Sequence, residues 1–119
     1  MIAYTIQLSQ WRRAKAQGIL VLDTTVRTGD KVFAPSWDIV TQIKANVITP
    51  EQYTVVYKRM MVESLRNHTA RWSEVIRGEP VAIACYCSKD KFCHRHLLCG
   101  YFRELCLARN IPFEYRGEL

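Results

Sequence analysis

The sequence predicts a single small α/β domain of three layers, with a mainly parallel sheet of about four strands and helices on both faces. Three observations predict it. The chain has 119 residues, enough for one core and too few for a second. Two short aliphatic runs, Ile19-Leu20-Val21-Leu22 and Val81-Ala82-Ile83-Ala84, stand between turn residues and read as strands buried on both faces, as parallel sheets require. Strand-like and helix-like segments alternate along the chain, and right-handed crossovers then put helices on both faces of the sheet.

Taken in order, Ala3 to Leu8 alternate weakly and read as a short strand. Ser9 is placed to cap a helix from Gln10 to Gln17, which Gly18 stops. The strand Ile19–Leu22 ends at Asp23. A long loop follows from Thr24 to Pro35, with turn chemistry at Thr28-Gly29-Asp30, and long loops in small domains are often functional. Ser36 caps a helix from Trp37 to about Ala45. Thr49-Pro50-Glu51-Gln52 is a capping box with proline in the first helical position. That helix carries Tyr53, Val56, Tyr57, Met60, Met61 and Leu65 at helical spacing. A further helix covers Thr69 to Arg77 and stops at Gly78 and Pro80. The strand from Val81 to Cys87 comes next, then a short loop from Ser88 to Lys91. Asp90 would cap a helix from Lys91 to Arg109, with Leu97, Leu98, Tyr101, Phe102 and Leu105 as its apolar stripe. Ile111 to Tyr115 reads as a last strand, at an edge because of Pro112.

Composition excludes several classes. Apolar residues at 49% and charged residues at 24% argue against disorder. No apolar run approaches the roughly 18 residues of a membrane span, so no membrane partner is expected. The first residues lack the basic and apolar regions of a secretion signal, and a cytoplasmic location is the expectation. The net charge is +6, from 17 Lys and Arg against 11 Asp and Glu, which favours a phosphorylated small molecule or nucleic acid as partner. All five cysteines fall between Cys85 and Cys106, where a disulfide framework would spread them, and a reducing compartment fits that distribution.

Ligands of open α/β sheets gather at the carboxyl ends of the strands. The loop after Asp23 and the loop after Cys87 should therefore share one rim. If Asp90 caps the following helix, its first-turn amides lack helical acceptors, and Lys89, Lys91 and Arg95 stand beside them as an anion site. The alternative is an ordinary capped helix meeting water. Cys93 sits where a helix N-terminus and nearby cations lower a thiol pKa and is a candidate nucleophile, set against a half-buried thiol that only packs. His94 is the acid/base candidate. Asp23 is placed to orient a ligand, act as a base or hold Arg27 or Arg95, or else only to cap the next turn. Arg27 and Lys31 add positive charge, and Trp37 either stacks on a base or belongs to the core. His68 reads as structural. Cys99 and Cys106, seven positions apart on one helical face, read as packing residues. Cys85, Cys87, Cys93 and His96 would satisfy zinc in number, but the first two lie on a strand that reads as buried, and no metal centre and no cofactor are expected.

Two segments carry a resemblance. Cys85 is followed eight positions later by Cys93-His94-Arg95, and Leu20-Val21-Leu22-Asp23 forms an aliphatic strand ending in Asp. The chain resembles domain-of-unknown-function family 488, which includes the YeaO-like proteins, where a strand ending in Leu-Leu-Cys precedes Cys-His-Arg by that spacing. The family's Val-Asp-Val-Arg strand is similar to the segment ending at Asp23. Cys87 stands where many members carry an acid two positions after the first Cys. Thr25 stands where the family has an Arg two positions after the Asp, and Arg27 is the nearest arginine. The resemblance implies a small α/β fold and a link to nucleotide or nucleic-acid processing.

The expected function is binding of a nucleotide or nucleic-acid end at the joint rim, with enzymatic processing of it. Asp23, Cys93 and His94 are the catalytic candidates, and Arg95, Lys89, Lys91 and Arg27 the anion-binding ones. The rival expectation is a non-catalytic nucleic-acid- or protein-binding module that uses the basic surface.

Overall fold

The aliphatic run before Cys85 forms the most buried strand of the molecule, and the sheet is assembled around it. The computed structural model describes residues 1–87 and 92–119. The strands are β1 (Ile2–Gln7), β2 (Leu20–Asp23), β3 (Val81–Cys85) and β4 (Glu114–Glu118). They form one sheet in the order β2-β3-β1-β4. All three pairings are parallel, and Val81 faces Ala3 on one side and Leu20 on the other. Every residue of β3 is buried, as an interior parallel strand requires.

The helices are α1 (Trp11–Ala16), preceded by a 3-10 turn at Leu8–Gln10, then α2 (Trp37–Lys44), α3 (Pro50–Asn67), α4 (Thr69–Arg77) and α5 (His94–Ala108). Successive strand residues point to opposite faces, and two cores result. Val81 and Ile83 join Phe33, Tyr57, Trp72 and Phe102 under α3, α4 and α5. Ala82 and Ala84 join Ile6, Ala14 and Ile19 under α1. The connection from β1 to β2 runs one way across the sheet and the later connections run the other way. With a single crossover hand they fall on opposite faces, as these two cores do. The three-layer parallel fold expected from the sequence is therefore the fold of the protein.

Two expectations are corrected. The strand ending at Asp23 is not buried on both faces: β2 lies at the sheet edge, and Leu20 is well exposed. A four-residue aliphatic run does not by itself separate an edge strand from an inner one. The last helix begins at His94 rather than Lys91, with extended Cys93 as its N-cap. Lys89, Asp90 and Lys91 lie outside the described residues. The last strand does stand at an edge, but it begins at Glu114, two residues after Pro112.

The long loop between β2 and α2 is tied down from the other side of the core. Tyr57 donates its hydroxyl hydrogen to the Phe33 carbonyl at 2.7 Å, Ser64 bonds the Val32 carbonyl, and Arg71 pairs with Asp30 at 2.8 Å. Phe33 then packs edge-on against Trp72, ring centroids 4.9 Å apart. The capping box at Thr49 is fully formed: Thr49 accepts from the Gln52 amide, and the Gln52 side chain accepts from the Thr49 amide. It starts α3 where Tyr53 and Tyr57 face the core.

Gly29 closes the same loop. Its amide donates to the Thr25 carbonyl, and a Cβ there would lie 2.4 Å from the Thr25 amide nitrogen and 2.6 Å from the Asp23 carbonyl oxygen. Those neighbours are backbone and cannot swing aside. Gly29→Ala is expected to lose about 1–3 kcal/mol, the usual cost of forcing extra volume into a packed site. Gly100→Ala, on α5 with open space around it, is expected to hold or gain up to about 1 kcal/mol from helix propensity. Urea midpoints at unchanged slope separate the two.

Candidate functional site

The carboxyl ends of β2 and β3 carry the site, and backbone hydrogen bonding brings them together. The Thr24 amide donates to the Ala84 carbonyl at 3.0 Å, extending the β2–β3 ladder one residue past Asp23. The Thr24 hydroxyl donates to that same carbonyl at 2.7 Å. With its hydrogen so committed, Thr24 Oγ1 can only accept from His94 Nε2, 2.9 Å away. Nε2 also lies 2.9 Å from the Thr24 carbonyl oxygen. Both contacts require the hydrogen on Nε2, which leaves Nδ1 with its lone pair. Nδ1 faces Cys93 Sγ at 3.9 Å. The Tyr57 ring lies beside the imidazole, with centroids 5.5 Å apart.

Burial, reinforced by the Arg95 guanidinium, lowers the His94 pKa to about 4, while its hydrogen bond to the Thr24 backbone acts the other way. The ring is thus neutral near pH 7. A reduced thiol at Cys93 would find a fixed proton acceptor in Nδ1.

Cys93 is joined to Cys85 by a disulfide. This corrects the expectation that the clustered cysteines stay unpaired. The end of β3 and the N-cap of α5 meet in space, so sequence clustering and pairing are compatible. Cys85, Cys93 and His94 bring two sulfurs and a ring nitrogen within 4.8 Å of one another, and all three residues are buried. Cys87 and His96, the other two residues that would complete a zinc set in number, do not join that group. Bonded to each other, the two sulfurs offer no thiolate to a metal. Cys87 is a free, half-buried thiol, and Cys99 and Cys106 are free and buried in the core as expected. Burial pushes the Cys99 thiol up to about 11.

Arg95 lies on the same rim as Asp23 but faces inward. It is wholly buried, and its guanidinium donates to Cys85 Sγ at 2.9 Å, to the Cys87 carbonyl at 3.0 Å and to both carboxylate oxygens of Glu118. The sequence gives no sign of Glu118, whose partner lies 23 positions away. The Asp23 carboxylate accepts from the Thr25 amide at 2.9 Å and from the Thr28 hydroxyl at 2.6 Å, which folds the loop back on the strand end. Thr24, the ligand of His94, was not singled out from the sequence.

Beside these groups opens a cleft of about 870 Å³. Cys85, Cys93 and His94 line it, together with Thr25, Arg27 and Tyr53. Trp37, Tyr86 and Phe92 also line it and are exposed, as a ligand-facing aromatic must be. Among the described residues, its charged lining side chains are Arg27 and Lys44, both cationic. Lys31 instead donates to the Val26 carbonyl at 2.7 Å.

The depressed His94 pKa makes stability depend on pH. The unfolded imidazole takes a proton near 6.5 and the folded one near 4, so the unfolded state binds more protons between those values. Stability is complete above about pH 6.5, falls as pH drops toward 4 and levels off below, a loss of roughly 3 kcal/mol in all. Urea unfolding at pH 7.5 and 4.5 is expected to show a smaller drop for His94→Gln than for the wild type. Equal drops would place the titration elsewhere.

The family model DUF488-N3a, described as the active DUF488-N3 subclade, matches residues 9–105. Comparison with curated proteins and with solved structures gives no match. Among the described residues, no helix is long and apolar enough to cross a membrane. The matched span runs from the 3-10 turn before α1 through most of α5 and includes β2, β3, the cleft and the Cys93-His94-Arg95 triplet. On that match the chain belongs to the DUF488-N3a family.

Proposed function

We propose that the cleft binds a phosphorylated ligand with a planar base, a nucleotide or the end of a nucleic acid, and that the protein processes it through Cys93 and His94. One observation carries this reading: among the described residues, the cleft combines exposed aromatic rings and cationic side chains with Cys93, disulfide-bonded here, beside the His94 imidazole. Trp37, Tyr86 and Phe92 offer flat surfaces on which a base can stack. Arg27 offers a planar donor fork for phosphate, and Lys44 a second positive charge. Arg95 is not the phosphate ligand in this reading. Its guanidinium is engaged with Glu118 and the β3 end, and it acts by positioning Cys85 and the start of α5. Asp23 acts in the same indirect way, by shaping the loop that presents Arg27. Lys89 and Lys91 remain anion-binding candidates on the sequence alone.

The chemistry is nucleophilic. The reduced Cys93 thiol gives its proton to His94 Nδ1, and the sulfur bonds an electrophilic centre of the ligand. The leaving group departs with its electron pair and takes the proton back from the imidazole. Thr24 holds the ring in the required tautomer throughout.

The test is calorimetric titration of nucleoside monophosphates and short oligonucleotides at two salt concentrations. Trp37→Ala is expected to lose about five- to a hundredfold in affinity, the range of one base–aromatic stack. Arg27→Ala is expected to lose about tenfold or more, as one charge-assisted hydrogen bond is lost. Arg12→Ala should bind as the wild type does, since Arg12 rests over the Trp11 ring on α1. Similar losses for all three variants, with steep salt dependence, would replace the cleft by diffuse nucleic-acid binding along a basic surface.

A further inference from the structure

We propose that Cys85 and Cys93 form a reversible dithiol–disulfide centre, opened by a dithiol reductant, that withholds and releases the Cys93 nucleophile. The proposal rests on the reading of Cys93 as the reacting thiol. Its grounds are the placement of the two sulfurs and what surrounds each. They come from different elements, the end of β3 and the N-cap of α5, and are bonded to each other. Cys85 is 1% and Cys93 3% exposed, yet both line the cleft, so a small thiol can approach the bond from the cleft.

The neighbours of the two sulfurs differ, and the difference sets the direction of opening. Cys85 Sγ accepts a hydrogen bond from the Arg95 guanidinium at 2.9 Å. A charged donor stabilises a thiolate far better than a bonded sulfur, and a stabilised thiolate is the better leaving group. Cys93 Sγ has the His94 Nδ1 lone pair beside it instead. The attacking thiolate of the reductant therefore bonds Cys93 Sγ. The S–S bond breaks, and its electron pair goes to Cys85 Sγ, held there by Arg95. The second thiol of the reductant then attacks the mixed disulfide, forms the reductant's own disulfide and frees Cys93. The protein gains two electrons and two protons from the dithiol, which is oxidised by the same amount. The product is the form in which Cys93 can give its proton to His94. The other cysteines are placed differently: Cys99 and Cys106 lie in the core, and Cys87 is a free thiol in the cleft wall.

The experiment counts thiols on the folded full chain. Protein equilibrated with reduced or oxidised dithiothreitol is quenched in acid, unfolded, alkylated with iodoacetamide and weighed. Five alkylations are expected after reduction, for the five cysteines, and three after oxidation, for Cys87, Cys99 and Cys106. Peptide mapping of the oxidised form should find Cys85 joined to Cys93. Cys87→Ser should keep the two-thiol difference. Cys85→Ser should abolish it and leave Cys93 open to a mixed disulfide with oxidised glutathione. Five alkylations at every poise, a link through Cys87, or a bond that opens only after denaturation would each overturn the proposal. So would a reduced form that retains a metal and resists the oxidant. Nucleotide binding is read separately: a two-thiol difference without binding sinks the ligand reading and leaves the redox pair standing.

Discussion

A guanidinium with no exposure to solvent organises the functional end of this molecule. A buried charge is tolerated only when it is paired and hydrogen-bonded, and removing one partner of such a pair typically costs about 3–5 kcal/mol. Arg95 meets that demand by drawing three separate pieces of chain toward one point: the end of β3 through Cys85 and Cys87, the edge strand β4 through Glu118, and its own helix α5. Cys93 and His94, the N-cap and first residue of α5, stand immediately before Arg95 and line the cleft. The Cys-His-Arg triplet thus sets the two cleft-lining residues Cys93 and His94 directly beside the buried arginine.

Thr24 makes the complementary link from the other strand. Its backbone and side chain both bond the Ala84 carbonyl, which sets the depth of the loop after β2. Its carbonyl and hydroxyl then face His94 and dictate which ring nitrogen carries the hydrogen. The imidazole is held between strand and helix, and the held state is neutral because burial outweighs the favourable hydrogen bond. The Gly29 turn, the Asp23 carboxylate and the Tyr57 hydroxyl keep the loop in that position without touching the sulfurs.

Much of this was legible in the sequence, and the failures share a cause. Caps and periodicity are local, so the Ser36 and Thr49 helix starts and the stop after Arg77 fall where the residues imply. The shared rim of Asp23 and Arg95 follows from parallel topology alone. What was not legible depends on contacts between distant segments. An aliphatic run such as Leu20-Val21-Leu22 does not state how many neighbours its strand has, and β2 proved to be an edge. Asp90 was the better local N-cap on residue preference, yet the helix begins at His94, where Arg95 has its buried partners. Glu118 and Thr24 carry no motif. Each is defined by the residue it faces.

The inward turn of Arg95 also decides how a ligand would lie. A phosphate seeking that guanidinium would have to displace Glu118, an anion already held and nearly buried, and exchanging one anion for another there gains little. Among the described residues, the cations that line the cleft are Arg27 and Lys44, and both are exposed. Charge therefore favours a phosphate at the mouth, where it keeps part of its hydration. The neutral imidazole and the two bonded sulfurs are buried, and on the proposed reading they favour an uncharged portion of the ligand further in. On the proposed reading, that orientation brings the body of the ligand, rather than its phosphate, toward Cys93.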